Sequence, residues 1–122
     1  MMLFSTLIIT YAAWCLLRGT GFIFSPARLW KRFNVNLDKH TAFPVQILGA
    51  AFIAAALMNW TAKDSIEISS AQSIILFNFA NELIGAVITI YGISSSAVNK
   101  LAWIPFFIHL LFMIGFGYLL LW

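Results

Sequence analysis

Four long apolar segments restrict the fold that this sequence can adopt. They run over about residues 3–24, 43–60, 72–92 and 101–122. Each is close to the ~20 residues that an α-helix needs to cross the hydrocarbon core of a bilayer. Strands of a membrane barrel alternate apolar and polar residues, whereas the runs 47–58 and 106–113 are almost continuously apolar. The pattern predicts an all-α integral membrane four-helix bundle, folded as a single domain over residues 1–122.

The composition of the chain favours the same class of protein. Hydrophobic residues make up 62% of the chain and charged residues only 9%, against about 25% charged in a soluble domain. The net charge of +3 needs no nucleic acid to explain it. No Lys or Arg precedes Leu3, and the first apolar stretch is too long for the core of a signal peptide, so we expect it to be a membrane helix.

Positive charge is distributed unequally between the predicted loops. The first and third connections together carry five cations: Arg28, Lys31, Arg32, Lys39 and Lys100. The second connection carries Lys63 alone. Cytoplasmic loops are enriched in Lys and Arg, so we expect the first and third loops in the cytoplasm and both termini outside. The expected location is a bacterial inner membrane.

The first connection also has the features of a short helix. Ser25 followed by Pro26 is the pattern of an N-cap and a proline at the first helical position. Apolar side chains and cations then recur at helical spacing, which predicts an interfacial helix over residues 26–33. Its candidate interfacial residues are Arg28, Trp30, Lys31 and Arg32. We expect this helix to anchor the bundle, with headgroup binding or partner docking as alternatives because each cation near an anionic leaflet contributes ~1 kcal/mol.

Glu82 and His109 are ionisable side chains that fall midway along predicted spans. An ionised group there costs at least ~2.5–3.5 kcal/mol on insertion scales, so it is a functional hypothesis by default. At a rise of ~1.5 Å per residue, both lie at nearly the same depth, with Gln46 at a similar level and Arg18 slightly nearer the cytoplasm. Asn78 lies one helical turn before Glu82. These five side chains form our candidate binding or proton site, with a purely structural hydrogen-bonding role as the alternative.

Motifs for enzymes and metal sites are absent from the sequence. It contains no HExxH, CxxC or GxSxG pattern and no phosphate-binding loop. The two histidines are distant in sequence, with His40 in a predicted loop, and Cys15 is the single cysteine. We therefore expect no catalytic residue, no metal site and no cofactor.

Three short stretches carry a resemblance to a known family. Residues 21–29 (GFIFSPARL) follow the first span, residues 47–50 (ILGA) open the second, and residues 115–118 (GFGY) lie in the last. Together they resemble the small DoxX-like four-helix membrane proteins, which often carry an arginine where this chain has Gln46. The layout is also similar to Erg28-type scaffold proteins, which implies a membrane tether for other proteins. Neither resemblance implies a catalytic residue.

Three functional hypotheses follow from these features. The first is a non-enzymatic membrane protein that acts as an accessory, scaffold or lipid-binding module. The second is a proton-coupled carrier or channel, in a homodimer, that uses Glu82 and His109. The third is an enzyme that acts on a membrane-soluble substrate. The expected partners are membrane lipid and either other membrane proteins or a second copy of the chain.

Overall fold

The computed structural model describes residues 2–64 and 68–121, and within these ranges the chain forms helices and no strands. The elements are α1 (Met2–Phe24), α2 (Pro26–Lys31), α3 (Lys39–Ala62), α4 (Ile68–Ser94), a 3₁₀ turn (Lys100–Ala102) and α5 (Trp103–Leu120). Four of these helices are long and apolar enough to cross a membrane. The predicted all-α four-helix membrane bundle is therefore confirmed. Trp122, which ends the fourth predicted span, lies outside the described residues.

The second long helix begins earlier than the apolar pattern predicted. It starts at Lys39, rather than at about residue 43, because Asp38 caps it. The Asp38 carboxylate accepts hydrogen bonds from the backbone N–H groups of His40 and Thr41, at 2.9 and 2.8 Å. The Thr41 hydroxyl accepts in return from the Asp38 N–H at 2.9 Å, which completes a capping box. The expectation that His40 lies in a loop was wrong, since it belongs to the first turn of α3.

The short interfacial helix is also slightly displaced from its predicted end. α2 begins at Pro26 as expected but ends at Lys31, two residues before the predicted boundary at residue 33. The chain then turns through Asn34, whose φ of 65° lies in the left-handed region. That conformation is incompatible with a right-handed helix, so α2 cannot continue through residue 34.

The long helices pack as two close pairs, α1 with α3 and α4 with α5. The closest approach of α1 and α3 is at two glycines. A Cβ atom on Gly19 would lie 2.7 Å from the carbonyl oxygen of Gly49, and one on Gly49 would lie 2.8 Å from the carbonyl oxygen of Gly19. No larger residue fits at either position without separating the backbones, as is typical of small-residue contacts between membrane helices.

Tyr11 of α1 joins the two helix pairs at the centre of the bundle. Its ring is fully buried and meets the rings of Phe112 and Phe116 of α5 edge to face, with centroid separations of 5.0 and 4.9 Å. Aromatic pairs in this geometry stabilise by about 0.5–1.5 kcal/mol beyond the area that they bury. The remaining core residues come from all four spans: Phe4, Ile8, Cys15, Ala56, Ala71, Ile75 and Leu119.

The outer surface of the spans is strongly apolar. Leu17 and Leu111 are each 69% exposed, and Ile88 is 64% exposed. A continuous apolar exterior of this kind is a liability in water but matches the hydrocarbon of a bilayer. The structure therefore describes an integral membrane protein.

The connections tie the spans together at both ends of the bundle. At one end the Ser5 hydroxyl donates to the carbonyl oxygen of Lys63 at 3.1 Å. At the other, the Asn99 side chain donates to the carbonyl oxygen of Arg32 at 2.8 Å, and the Asn99 N–H donates to that of Phe33 at 3.1 Å. The first and third connections, which carry five cations, therefore lie side by side at one end, which we call the cationic end.

Candidate functional site

Glu82 lies on α4 at the centre of the bundle and has no solvent exposure. His109 of α5 is 8% exposed, and its Nδ1 atom lies 2.6 Å from Glu82 Oε2. The ring reaches this position because it packs directly on the backbone of Gly85. A Cβ atom on Gly85 would lie 2.7 Å from His109 Cε1 and 2.8 Å from its Nδ1 atom. The absence of a side chain at residue 85 therefore sets the contact between the two titratable groups.

The other carboxylate oxygen of Glu82 has three further neighbours. The Tyr11 hydroxyl donates to Oε1 at 2.6 Å, and the Asn81 amide donates to the same atom at 3.1 Å. Asn81 also donates to the Tyr11 hydroxyl oxygen at 3.0 Å. The Arg18 guanidinium forms an ion pair with Oε1 at 3.5 Å. We call Tyr11, Arg18, Asn81, Glu82 and His109 the central polar cluster.

Arg18 contacts the cluster without leaving the bundle. Its side chain is 9% exposed, and its guanidinium carbon lies 3.7 Å from the centroid of the Phe52 ring and 5.5 Å from that of Trp14. Stacking on aromatic faces is favourable for guanidinium, which is more weakly hydrated than an ammonium. The sequence placed Arg18 slightly nearer the cytoplasm than Glu82. The structure places its charge between two rings and Glu82, inside the bundle.

The chemistry of the central polar cluster follows from these contacts. The neighbours of Glu82 present N–H and O–H donors or positive charge to its oxygens, which is the set that a carboxylate accepts. The carboxyl and imidazole are also close enough to exchange a proton directly. Within residues 2–64 and 68–121, no group of three His, Cys, Asp or Glu side chains is placed to hold a metal ion.

Asn78 does not join this cluster, although it lies one turn from Glu82. It instead exchanges two hydrogen bonds with Asn59 of α3: Asn78 Nδ2 donates to Asn59 Oδ1 at 2.6 Å, and Asn59 Nδ2 donates to Asn78 Oδ1 at 3.2 Å. Both side chains are fully buried. Amide pairs of this kind connect helices in membranes. The expectation that Asn78 belongs to the same site as Glu82 was wrong, because its amide is paired with Asn59 of α3.

Gln46 was also expected to meet Glu82 and His109, and that expectation was wrong. Its side-chain amide donates to the carbonyl oxygen of Ile23 at 3.0 Å. That carbonyl belongs to the last turn of α1, where backbone acceptors lack partners within their own helix. Gln46 therefore closes the end of α1, near the cationic end, and the estimate of equal depth placed it too close to the centre.

The predicted interfacial residues lie on α2 or directly after it, and their place at a membrane interface stays a prediction. Arg28, Lys31 and Arg32 are exposed at the cationic end. Trp30 is half-buried, and its ring lies 5.8 Å from that of Phe22 and 6.3 Å from that of Phe33. The Trp30 ring of α2 thus packs against Phe22 of α1, while the neighbouring cations are exposed.

Two members of the central polar cluster and one member of the amide pair were not singled out from the sequence as site residues. These residues are Tyr11 and Asn81 of the cluster and Asn59 of the amide pair. A usable signal existed, because a polar side chain within a membrane span requires a hydrogen-bonding partner. Applied to every span, this rule would have identified Asn59 and Asn81.

Comparisons with family models, with curated protein sequences and with solved structures find no match to this chain. The resemblance to DoxX-like and Erg28-type proteins therefore stays an expectation from the sequence.

Proposed function

We propose that this chain is a non-enzymatic accessory module of a membrane, and that its cationic end binds anionic lipid. The observation that carries the proposal is the exposure of Arg28 and Lys31 on one short amphipathic helix and of Arg32 directly after it. Lys39 and Lys100 are exposed at the same end. Each cation held near an anionic leaflet contributes ~1 kcal/mol of attraction, so the cluster as a whole supplies a substantial preference for anionic headgroups.

The interior of the bundle supports a binding role at the surface. The carboxylate of Glu82 is surrounded by protein donors and has no exposure, and the amides of Asn59 and Asn78 bond to each other. A buried polar group whose partners are all supplied by the protein mainly fixes the packing of the helices. The exposed cations, in contrast, are available for headgroups.

The orientation that we propose follows from the same charges. The first and third connections would face the cytoplasm of a bacterium, where the inner leaflet is anionic, and both termini would lie outside. Scaffolding of another membrane protein is compatible with this arrangement, because the apolar sides of the spans stay available for helix contacts. The test is a reporter that is active only in the cytoplasm, fused to the C-terminus. Activity of this reporter would contradict the proposed orientation.

The lipid preference can be tested with a variant in which α2 loses its charge. In the triple variant Arg28→Gln, Lys31→Gln, Arg32→Gln, native mass spectrometry of the purified protein titrated with phosphatidylglycerol is expected to show about 100-fold weaker binding. That factor corresponds to three contributions of ~1 kcal/mol. Lys63→Gln is the control, since it removes a cation at the opposite end of the bundle. Equal binding by the triple variant and the wild type would contradict the proposal.

A second candidate function is supported by the direct contact between Glu82 and His109. A carboxyl and an imidazole at 2.6 Å, buried midway along two spans, form a geometry in which a proton can pass between helices. We propose it as the proton site of a coupled carrier or channel; the homodimer expected for it stays a prediction.

The carrier hypothesis is tested by measuring the flux of protons, driven by a pH gradient, into liposomes that contain the protein. Glu82→Gln removes the titratable group but keeps two polar atoms for the Tyr11 and Asn81 contacts, so the fold is expected to persist while flux is lost. Thermal unfolding in detergent checks the fold. Flux in the variant equal to that of the wild type would exclude Glu82 as the proton site.

A further inference from the structure

A pocket of about 410 Å³ lies at the cationic end, between the first and third connections. Its volume falls within the range of small-molecule sites, about 300–1,000 Å³. Its polar lining residues include Asn34, Ser96 and Lys100. Its apolar lining residues are Ile93, Val98 and Trp103. The pocket is distinct from the central polar cluster, since none of its lining residues belongs to that cluster.

Asn99 also lines the pocket and links the first connection to the third. Its side-chain amide donates to the carbonyl oxygen of Arg32, while its Oδ1 atom accepts from the backbone N–H of Leu101 at 3.0 Å. Because both ends of this amide are in use, Asn99 fixes the distance between the first and third connections. The pocket is therefore a built feature of the fold, formed by two loops that cross-link each other.

The polar lining residues of the pocket carry donors that the described part of the chain does not use. No hydrogen bond or ion pair within residues 2–64 and 68–121 involves the Lys100 ammonium, the Asn34 amide or the Ser96 hydroxyl. An ammonium, an amide and a hydroxyl can each donate to an oxyanion, and hydrogen bonds to a charged acceptor are the strong ones. Together, these three donors are suited to bind a phosphate group.

The apolar lining residues of the pocket indicate which kind of molecule carries the phosphate group. Trp103 lies at the start of α5, and its ring packs against those of Phe106 and Phe107, at centroid separations of 5.2 and 5.8 Å. Tryptophan at a helix end is typical of the membrane interface. Contact with apolar residues does not stabilise a bound free phosphate ion. A phospholipid, in contrast, has a glycerol and acyl region that these residues can contact.

We propose that this pocket binds the phosphate group of a membrane phospholipid, with Lys100, Asn34 and Ser96 as donors and Trp103 against the glycerol region. The proposal rests on the lipid-binding function proposed above and adds a defined site to the diffuse attraction of α2. It predicts one lipid held more firmly than the others at the cationic end.

Two variants remove the donors while preserving the backbone. Asn34 and Ser96 have φ values of 65° and 59°, a region that glycine adopts freely. The double variant Asn34→Gly, Ser96→Gly therefore deletes both polar side chains without forcing the loops to move. Lys100→Gln removes the charge alone. Ser95→Ala is the matched control, because the Ser95 hydroxyl bonds to the carbonyl oxygen of Gly92 and does not line the pocket.

The test is native mass spectrometry of the detergent-solubilised full chain, titrated separately with dioctanoyl-phosphatidylglycerol, dioctanoylglycerol and inorganic phosphate. We expect the phospholipid to bind most tightly, and Lys100→Gln and the double glycine variant each to weaken its binding about tenfold, as for one charge-assisted hydrogen bond. Ser95→Ala is expected to bind as the wild type does. Binding of dioctanoylglycerol as tight as that of the phospholipid would overturn the proposal, and equally tight binding of inorganic phosphate would overturn the lipid assignment.

The outcomes also separate this site from the function on which it rests. If the pocket variants bind the phospholipid as the wild type does while the α2 triple variant binds it weakly, the pocket proposal fails and the proposed function stands. If the pocket variants lose the phospholipid while the α2 triple variant keeps it, the pocket proposal stands and the role assigned to α2 fails.

Discussion

Gly85→Ala is the substitution that most directly tests how the central polar cluster is held. The added methyl group would lie 2.7 Å from His109 Cε1 and 2.8 Å from its Nδ1 atom. The imidazole would have to retreat by at least about 0.7 Å to reach an ordinary van der Waals distance. Since the ring is fixed on its other side by Glu82 at 2.6 Å, either this hydrogen bond lengthens or α5 moves away from α4.

The magnitude follows from these two costs. Overpacking a close-packed interior typically destabilises by about 1–3 kcal/mol, and a hydrogen bond to a charged group contributes about 1.5–3 kcal/mol. The two overlap, because the ring movement that relieves the clash is the one that lengthens the hydrogen bond. Alanine is favoured over glycine in a helix by about 1 kcal/mol, which offsets part of this loss. We therefore expect Gly85→Ala to lower the free energy of unfolding by about 1–3 kcal/mol.

The assay is reversible unfolding in mixed micelles, followed by circular dichroism, with Gly21→Ala as the matched control. A methyl group on Gly21 would meet Leu29 Cδ2 at 3.5 Å, an ordinary contact. Because alanine is favoured over glycine in helices by about 1 kcal/mol, the control is expected to unfold no more easily than the wild type. If Gly85→Ala unfolds like Gly21→Ala, then His109 does not pack on the α4 backbone and the reasoning is refuted.

Two further predictions concern polar contacts elsewhere in the chain. Asn59→Leu leaves the buried amide of Asn78 without its partner and is expected to destabilise by about 1–2 kcal/mol; the double variant with Asn78→Leu should unfold less easily than the single one, and additive losses would contradict the pairing. Hydrogen bonds from the Thr41 backbone and side chain hold the pKa of Asp38 below its usual range. The α3 cap is therefore fully formed above the unfolded-state pKa of Asp38 and is lost as the pH falls through the lower folded-state pKa. The NMR shift of the Thr41 amide measures this loss. A titration of that shift above the usual aspartate range would contradict the predicted direction of the pKa.

The fold class and the position of the charges were determined by the sequence alone. Apolar runs of about twenty residues leave only helices as membrane spans, because each backbone N–H and C=O group must be satisfied within its own segment. The start of α2 at Pro26 was equally local, since proline is fixed in a conformation that opens helices. The cap at Asp38 was also readable from neighbouring residues, although apolar periodicity alone placed the start of α3 four residues too late.

Only the tertiary structure decided which polar side chains meet. The sequence gives the position of Glu82 and Asn78 along their helix. It does not give the rotation of the helices that face them. That rotation is set by close contacts such as Gly19 on Gly49 and Gly85 on His109, which depend on residues distant in sequence. Asn78 therefore pairs with Asn59, whereas Glu82 meets Tyr11, Arg18 and His109, because close contacts between small residues set which helix faces meet.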